Sequence, residues 1–478
     1  MKMLIALCLS GLFLSQARCH AAESNLVIHE WGTFTSLQNE TGEAIGGINT
    51  DDEPVPGFVH RLAPFLLLSP NEVRNRFSQG VPFCHPDVSM RLETPVIYFH
   101  PHKAEPKLER LSVNVKFHGG WLSEFYPHAI AEAPGLEGNR NRGQSHRFGP
   151  LKTNAVGTLD WHQLQVGGNW PLTNTSEHVW LAPRNVQAAL VRTTNGESEK
   201  FLFYRGVANL NAPLRISLDS KSDHLVFRGQ LEMPAAKPLV IPKLWFVHIR
   251  SDGDLAFRTL PALTLKSGST RILAHTPGSF GRKEFASRNL ARLRKDLLEA
   301  LMQDGLFRDE AEALLNTWQL SYFKSPGMRV FFIVPPEWTD YYLPLSISAP
   351  AQVDRVMVGR IELITPEQRV LLAKIGSYSE TEIAAAVGTL GTNLMNFILR
   401  EPKTYAERYG KLTAGRAPMN DFISVPDVFQ TYLDLGRFRA ALILHEAKRH
   451  PAPGITNFIA RFGVLAYRTF EPGQAPPG

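Results

Sequence analysis

Histidine is the residue type that offers the most chemistry in this chain. Of the fifteen histidines after residue 21, ten lie before residue 180, among them His29, His60, His85, His100, His102 and His128. Imidazole nitrogens joined by an Asp or Glu oxygen suit zinc, copper or iron. His100-Pro101-His102 is the most suggestive pair, because residues two apart at the end of a strand point to the same side; these two are the metal-ligand candidates. Cys84-His85 would add a thiolate. The spacing matches no specific ligand motif, with neither His-Glu-x-x-His nor a paired Cys-x-x-Cys present. Histidines scattered singly over surface and core are therefore the simpler reading, and the sequence names no cofactor.

A second constellation is His29-Glu30 beside Trp31-Gly32, a candidate general acid/base pair, with Glu93 or Glu124 as a second carboxylate across the site. The catalytic candidates are thus His29, Glu30 and Glu93. Neighbours on a strand face opposite ways, so His29 and Glu30 share a pocket only if the backbone bulges at Gly32. The plainer expectation is a first strand that sends Trp31 and Phe34 into the core and pairs Glu30 with an arginine. Arg205, Arg355 and Arg360 are candidate carboxylate clamps, more naturally between strands than on a ligand. Trp121, Phe125, Tyr126, Trp161, Trp170 and Trp180 would suit a sugar-binding groove if exposed and a core if buried. Nucleophile elbows and Gly-rich phosphate loops are absent from the sequence, and Cys84 has no recognisable local signature.

The elements that must position these groups follow from periodicity. From Ser24 to about Thr276, short runs of period-two alternation are broken by Gly, Pro, Asn and Asp, as in 95–99, 111–117, 200–204 and 244–249. Such spacing without intervening helices predicts antiparallel sheets packed as sandwiches. Near Gly281 the pattern turns helical. Leu290, Leu293, Leu297 and Leu301 line one face, Asp304-Gly305-Leu306 turns the chain, and Ala311, Leu314, Leu315 and Trp318 continue a hairpin. Strand-like segments at 329–334 and 353–364 follow. Thr365-Pro366 then starts a helix as cap and first turn, with further helices at 380–400, 426–435 and 437–450. The expected fold class is α+β: an antiparallel, sandwich-like β-rich N-terminal two-thirds (22–180 and 181–280), a helical hairpin with strands (281–365), a helical C-terminal cap (366–471) and a disordered tail (472–478).

Met1-Lys2-Met3, an apolar run from Leu4 to Leu14 and a small-residue exit at Ala21 read as a secretory signal over residues 1–21. No later stretch of 18 apolar residues predicts a transmembrane anchor. Only Cys84 outlasts the signal, so no intrachain disulfide forms. The net charge of +6 falls to +4 without Lys2 and Arg18 and is spread singly, which excludes a nucleic-acid footprint.

The stretch His29-Glu30-Trp31-Gly32-Thr33-Phe34-Thr35 resembles a signature near the mature N-terminus of a group of exported bacterial proteins of unassigned activity. Arg91 to Phe99, Phe203-Tyr204-Arg205-Gly206, Gly305-Leu306-Phe307 with Glu310-Ala311, and Arg355 to Arg360 extend the match over roughly residues 29–365. The resemblance implies a common fold and an exported bacterial origin, periplasmic or secreted, and assigns no catalytic residue. The functional expectation is binding or assembly at the cell envelope, with a glycan or envelope component as partner. The alternative is a hydrolase, metal-assisted, acting on a glycan or other polymer.

Overall fold

A computed structural model of the protein describes residues 26–50, 54–62, 77–101, 108–137, 147–269, 271–389 and 425–464. The expected signal, His102, the end of the 380–400 helix and the tail lie outside the described residues. The fold is mixed α+β, built on a 15-stranded sheet with helices mostly towards the C-terminus. Strands from all three expected segments, 22–180, 181–280 and 281–365, share this one sheet.

At its centre lies β1 (Leu26–Gln38), buried on both sides and rich in the β-branched and aromatic residues that such a strand requires. One neighbour is the antiparallel strand β2 (Met90–Pro101). The helical hairpin follows as α1 (Arg288–Gln303) and α2 (Arg308–Thr317), and β3 (Gly327–Ile333) leads to β4 (Gln352–Leu363). β4 runs parallel to β1 on its other side and is flanked in turn by β3. A parallel pair needs a long crossover. Here the connection spans most of the described chain, so local alternation, which predicts hairpin partners, gives no hint of it.

The two faces of the sheet bury different cores. On one, Trp31, Val96, Tyr98, Val356 and Val358 pack under Leu293, Leu297, Leu301 and Leu314 of the hairpin. On the other, Ile28, Phe34, Leu92 and Ile97 meet Leu214, Ile216, Leu225 and Phe227 from a separate three-stranded sheet, together with other strands. Gly32 marks a shift in the β1–β2 register between Trp31 and Thr33. A Cβ there would lie 3.0 Å from the Pro95 Cα, so the close approach of the strands requires glycine.

The C-terminal helices pack on the lower end of β1. Thr365 caps Pro366–Ser377 as expected: its hydroxyl accepts from the Gln368 N–H at 3.0 Å, and Gln368 Oε1 accepts from the Thr365 N–H at 2.9 Å. Leu372, Ile375, Phe429, Leu442 and Phe458 share a third core with Leu37, Ile45, Val81 and Cys84. Among the described residues no helix is long and apolar enough to cross a membrane.

Candidate metal centre

His29 and Asp354 are in-register partners on the parallel strands β1 and β4, and Tyr98 faces His29 from β2. His100, two residues beyond Tyr98, pairs with Val27 and so lies diagonally from His29 on the same face. The hairpin covers that face. Gly305 takes the left-handed conformation at φ 118°, turning the chain out of α1 so that Phe307 and α2 descend onto the two imidazoles.

Glu310, in the first turn of α2, is the group on which they converge. Its Oε2 lies 2.7 Å from His29 Nδ1 and accepts the Phe307 backbone N–H at 2.8 Å, while Oε1 lies 2.8 Å from His100 Nε2. Burial pushes the Glu310 carboxyl up, and the hydrogen bonds from His100 and His29 more than offset it, holding the group below its ordinary value. One ligand atom from each of His29, His100 and Glu310 falls within 4.8 Å of the other two. Around a tetrahedral zinc with bonds of about 2.0–2.1 Å, neighbouring ligand atoms sit about 3.3 Å apart. To admit such an ion, the two contacts, which go to different Glu310 oxygens, would open by about half an ångström, and the widest ligand pair, within 4.8 Å, would close by up to about 1.5 Å. The donor set, two imidazoles and a carboxylate without thiolate, fits zinc or ferrous iron.

The site is closed below and partly open above. Glu310 and His29 are buried, His100 is partly buried, and the Phe307 ring roofs both imidazoles with centroids 4.5 and 5.0 Å away. Phe307 is 47% exposed, unlike the core aromatics around it. Three protein ligands leave a tetrahedral ion one position short.

The other expected site residues are placed elsewhere. Glu30 points to the opposite face, where it is clamped by Arg355 Nε at 2.6 Å and receives the Tyr204 hydroxyl. Arg355 also donates to Asp340 at 2.9 Å. Burial pushes Arg355 down, but Glu30 and its neighbours hold it well above its usual range. Glu30 is thus paired with an arginine, the plainer of its two readings, and as a catalytic candidate it does not share a pocket with His29: the strand pleat separates them, and the irregularity at Gly32 comes too late to reverse it.

Glu93 pairs in register with Thr33, four residues along β1 from His29, or roughly 13 Å at strand rise. It is fully buried, bound by Arg91 Nε at 3.0 Å, Arg437 Nη2 at 2.7 Å and the Thr35 hydroxyl at 3.0 Å. Burial opposes its ionisation, and Arg437, Arg91 and Arg360 override that, holding the carboxyl at about 2. A carboxylate so locked is a structural ion pair and not a proton-transfer group. Glu124 is likewise held, by Arg61 at 2.8 Å.

Cys84 is buried in the core beneath the C-terminal helices, and His85 Nε2 meets the Gly149 carbonyl at 3.0 Å, so neither joins the centre. Trp121, Phe125, Tyr126, Trp161 and Trp180 are all buried, and only Trp170 of the proposed sugar platform is partly exposed. Among the expected residues, then, His29 and His100 come together while Glu30 and Glu93 do not. Glu310 was missed as a ligand although it stands within the Gly305-Leu306-Phe307-x-x-Glu310 stretch of the resemblance; an acidic residue three beyond a helix-starting Phe reads first as a cap.

Scanning the chain against protein-family models gives no match, and a search of the curated proteins gives none. Among solved structures it is similar to the Fcho1 Mu homology domain of Danio rerio with bound Eps15 peptide, at 9% identity and a TM-score of 0.25, covering 71% of this chain and 96% of that one. A likeness of that degree carries no argument about fold or function.

Proposed function

We propose that this is an exported, metal-assisted hydrolase in which His29, His100 and Glu310 hold a zinc ion. The observation that carries the reading is the convergence of three ligand atoms from three distant parts of the chain on the helix-covered face of the sheet. A zinc ion at such a centre supplies Lewis acidity and activation of a water at its open position. The chain's own contribution is to fix both imidazoles on paired strands, to bring the carboxylate down on α2, and to offer Phe307 as an apolar face against the two imidazoles. That exposed ring suits stacking on a sugar or another flat group, which supports a glycan or other polymer as substrate. Export rests on the composition of residues 1–21. The sandwich-like packing expected of the β-rich part is supported by the apolar core shared between the large sheet and the three-stranded sheet.

The test is elemental analysis of the protein purified without a histidine tag and reloaded with zinc, iron, copper or manganese, beside His100→Ala and Glu310→Gln. One zinc per chain, lost in both variants, together with hydrolysis of a polymeric or chromogenic ester or glycoside substrate that follows the zinc, is the expected result. Selective retention of iron replaces hydrolysis by oxygen chemistry. No metal from a folded preparation overturns the centre and leaves binding or assembly at the envelope.

A further inference from the structure

His29 has a second nitrogen, and it faces a second carboxylate. Its Nε2 lies 3.6 Å from Asp354 Oδ2, on the side of the ring opposite Glu310. That placement is built into the fold, since Asp354 is the residue of β4 in register with His29. Gln352, two residues earlier on β4, donates its Nε2 to Asp354 Oδ2 at 2.9 Å and so steadies the carboxylate. From above, the turn at Gly305 rests against it: a Cβ on Gly305 would stand 3.4 Å from the Asp354 Cβ. The same turn delivers Phe307 and Glu310 to the centre.

Without metal, the ionised Glu310 only accepts, so the His29 proton belongs on Nδ1, where Oε2 waits at 2.7 Å. A metal ion at Nδ1 needs the lone pair there and the proton on Nε2. Resting on the metal reading above, we propose that Asp354 is a positioning residue of the centre. It accepts the Nε2–H of His29, selects the tautomer that presents Nδ1 to the ion, and holds the ring in the plane the ion requires. On this proposal the 3.6 Å separation shortens to hydrogen-bond length when the ion is bound. Carboxylates hydrogen-bonded to the far nitrogen of a ligating histidine have this role generally, and their loss costs about 10–100-fold in metal affinity.

The experiment is a zinc titration against a competing chelator on the full chain as wild type, Asp354→Asn, Asp354→Glu and His100→Ala, with the melting temperature of each zinc-free protein alongside. Asp354→Asn is expected to bind zinc about 10–100-fold more weakly than wild type at an unchanged zinc-free melting temperature. Asp354→Glu, whose longer side chain reaches the same nitrogen, recovers most of the loss. Nitrogen-15 spectra of histidine-labelled, zinc-loaded wild type should show His29 protonated on Nε2. Asp354→Asn that binds zinc as wild type does, while His100→Ala does not, overturns the positioning role and leaves the centre standing. Wild type that binds no zinc, or His100→Ala that binds it unchanged, overturns the centre itself.

Discussion

Glu310 is satisfied as it stands, with the Phe307 N–H on Oε2 and an imidazole on each oxygen. Metal entry at this residue is thus an exchange of hydrogen bonds for coordinate bonds, and not the filling of a void. Glu93 shows the contrasting fate of a buried carboxylate. Its charge is matched by arginines that cannot leave, and its depressed pKa makes it a store of stability instead of a reactive group. The drop from the ordinary 4.5 to about 2 amounts to about 3 kcal/mol, fully present above pH 4.5 and lost as the pH falls through about 2. Glu93→Gln, which removes the carboxylate charge shared by Arg91 and Arg437, should cost about 3–5 kcal/mol at neutral pH. Unfolding curves at neutral pH and near pH 2 should show the gap between variant and wild type narrowing in acid. Zinc stoichiometry should be unaffected; a variant that lost zinc would tie Glu93 to the centre after all.

Among the elements, the hairpin turn carries the tightest local demand. Gly305 sits at φ 118°, closed to an L side chain, and its neighbour across the gap is Asp354. Gly305→Ala should destabilise the protein by about 1–2 kcal/mol through backbone strain and weaken zinc binding, because the turn sets the height of α2 over the sheet. A chelator titration showing full affinity in that variant would mean that α2 is held by its core contacts alone. Gly32 makes a different demand, for space. A methyl there meets the Pro95 backbone and the Met357 sulfur at 3.0–3.1 Å. Gly32→Ala should cost about 1–3 kcal/mol by overpacking, read in a denaturant melt.

Over the whole molecule, the two helical layers do separate work at different ends of β1. The hairpin holds Glu310 against β1 and β2, whereas the C-terminal helices seal the other end of β1 and send Arg437 to Glu93. Leu297→Ala, under the hairpin, should cost about 2–5 kcal/mol and take zinc affinity with it; Phe458→Ala, in the C-terminal layer, should cost about 3–5 kcal/mol and leave zinc bound. Thermal melts with and without zinc distinguish the two. Equal loss of zinc in both would show that the layers act as one unit.

Local pattern in the sequence determined the kinds of element and many of their limits: the β-rich stretch to about 276, the hairpin broken at Gly305, the Thr365 cap, and a first strand whose pleat divides His29 from Glu30. Those features depend on residues within a few positions of one another, which is the range over which periodicity and turn chemistry act. The carboxylate that completes the centre was beyond that range. His29, His100, Glu310 and Asp354 are distant in the chain and meet only because β1 lies between an antiparallel β2 and a parallel β4, with α2 folded across them. The same holds for Glu93, whose arginine partner Arg437 is 344 residues away. Which carboxylate meets a histidine and which meets an arginine was decided by strand order, because a side chain's chemistry is set by its neighbours in space and strand order is what assigns them.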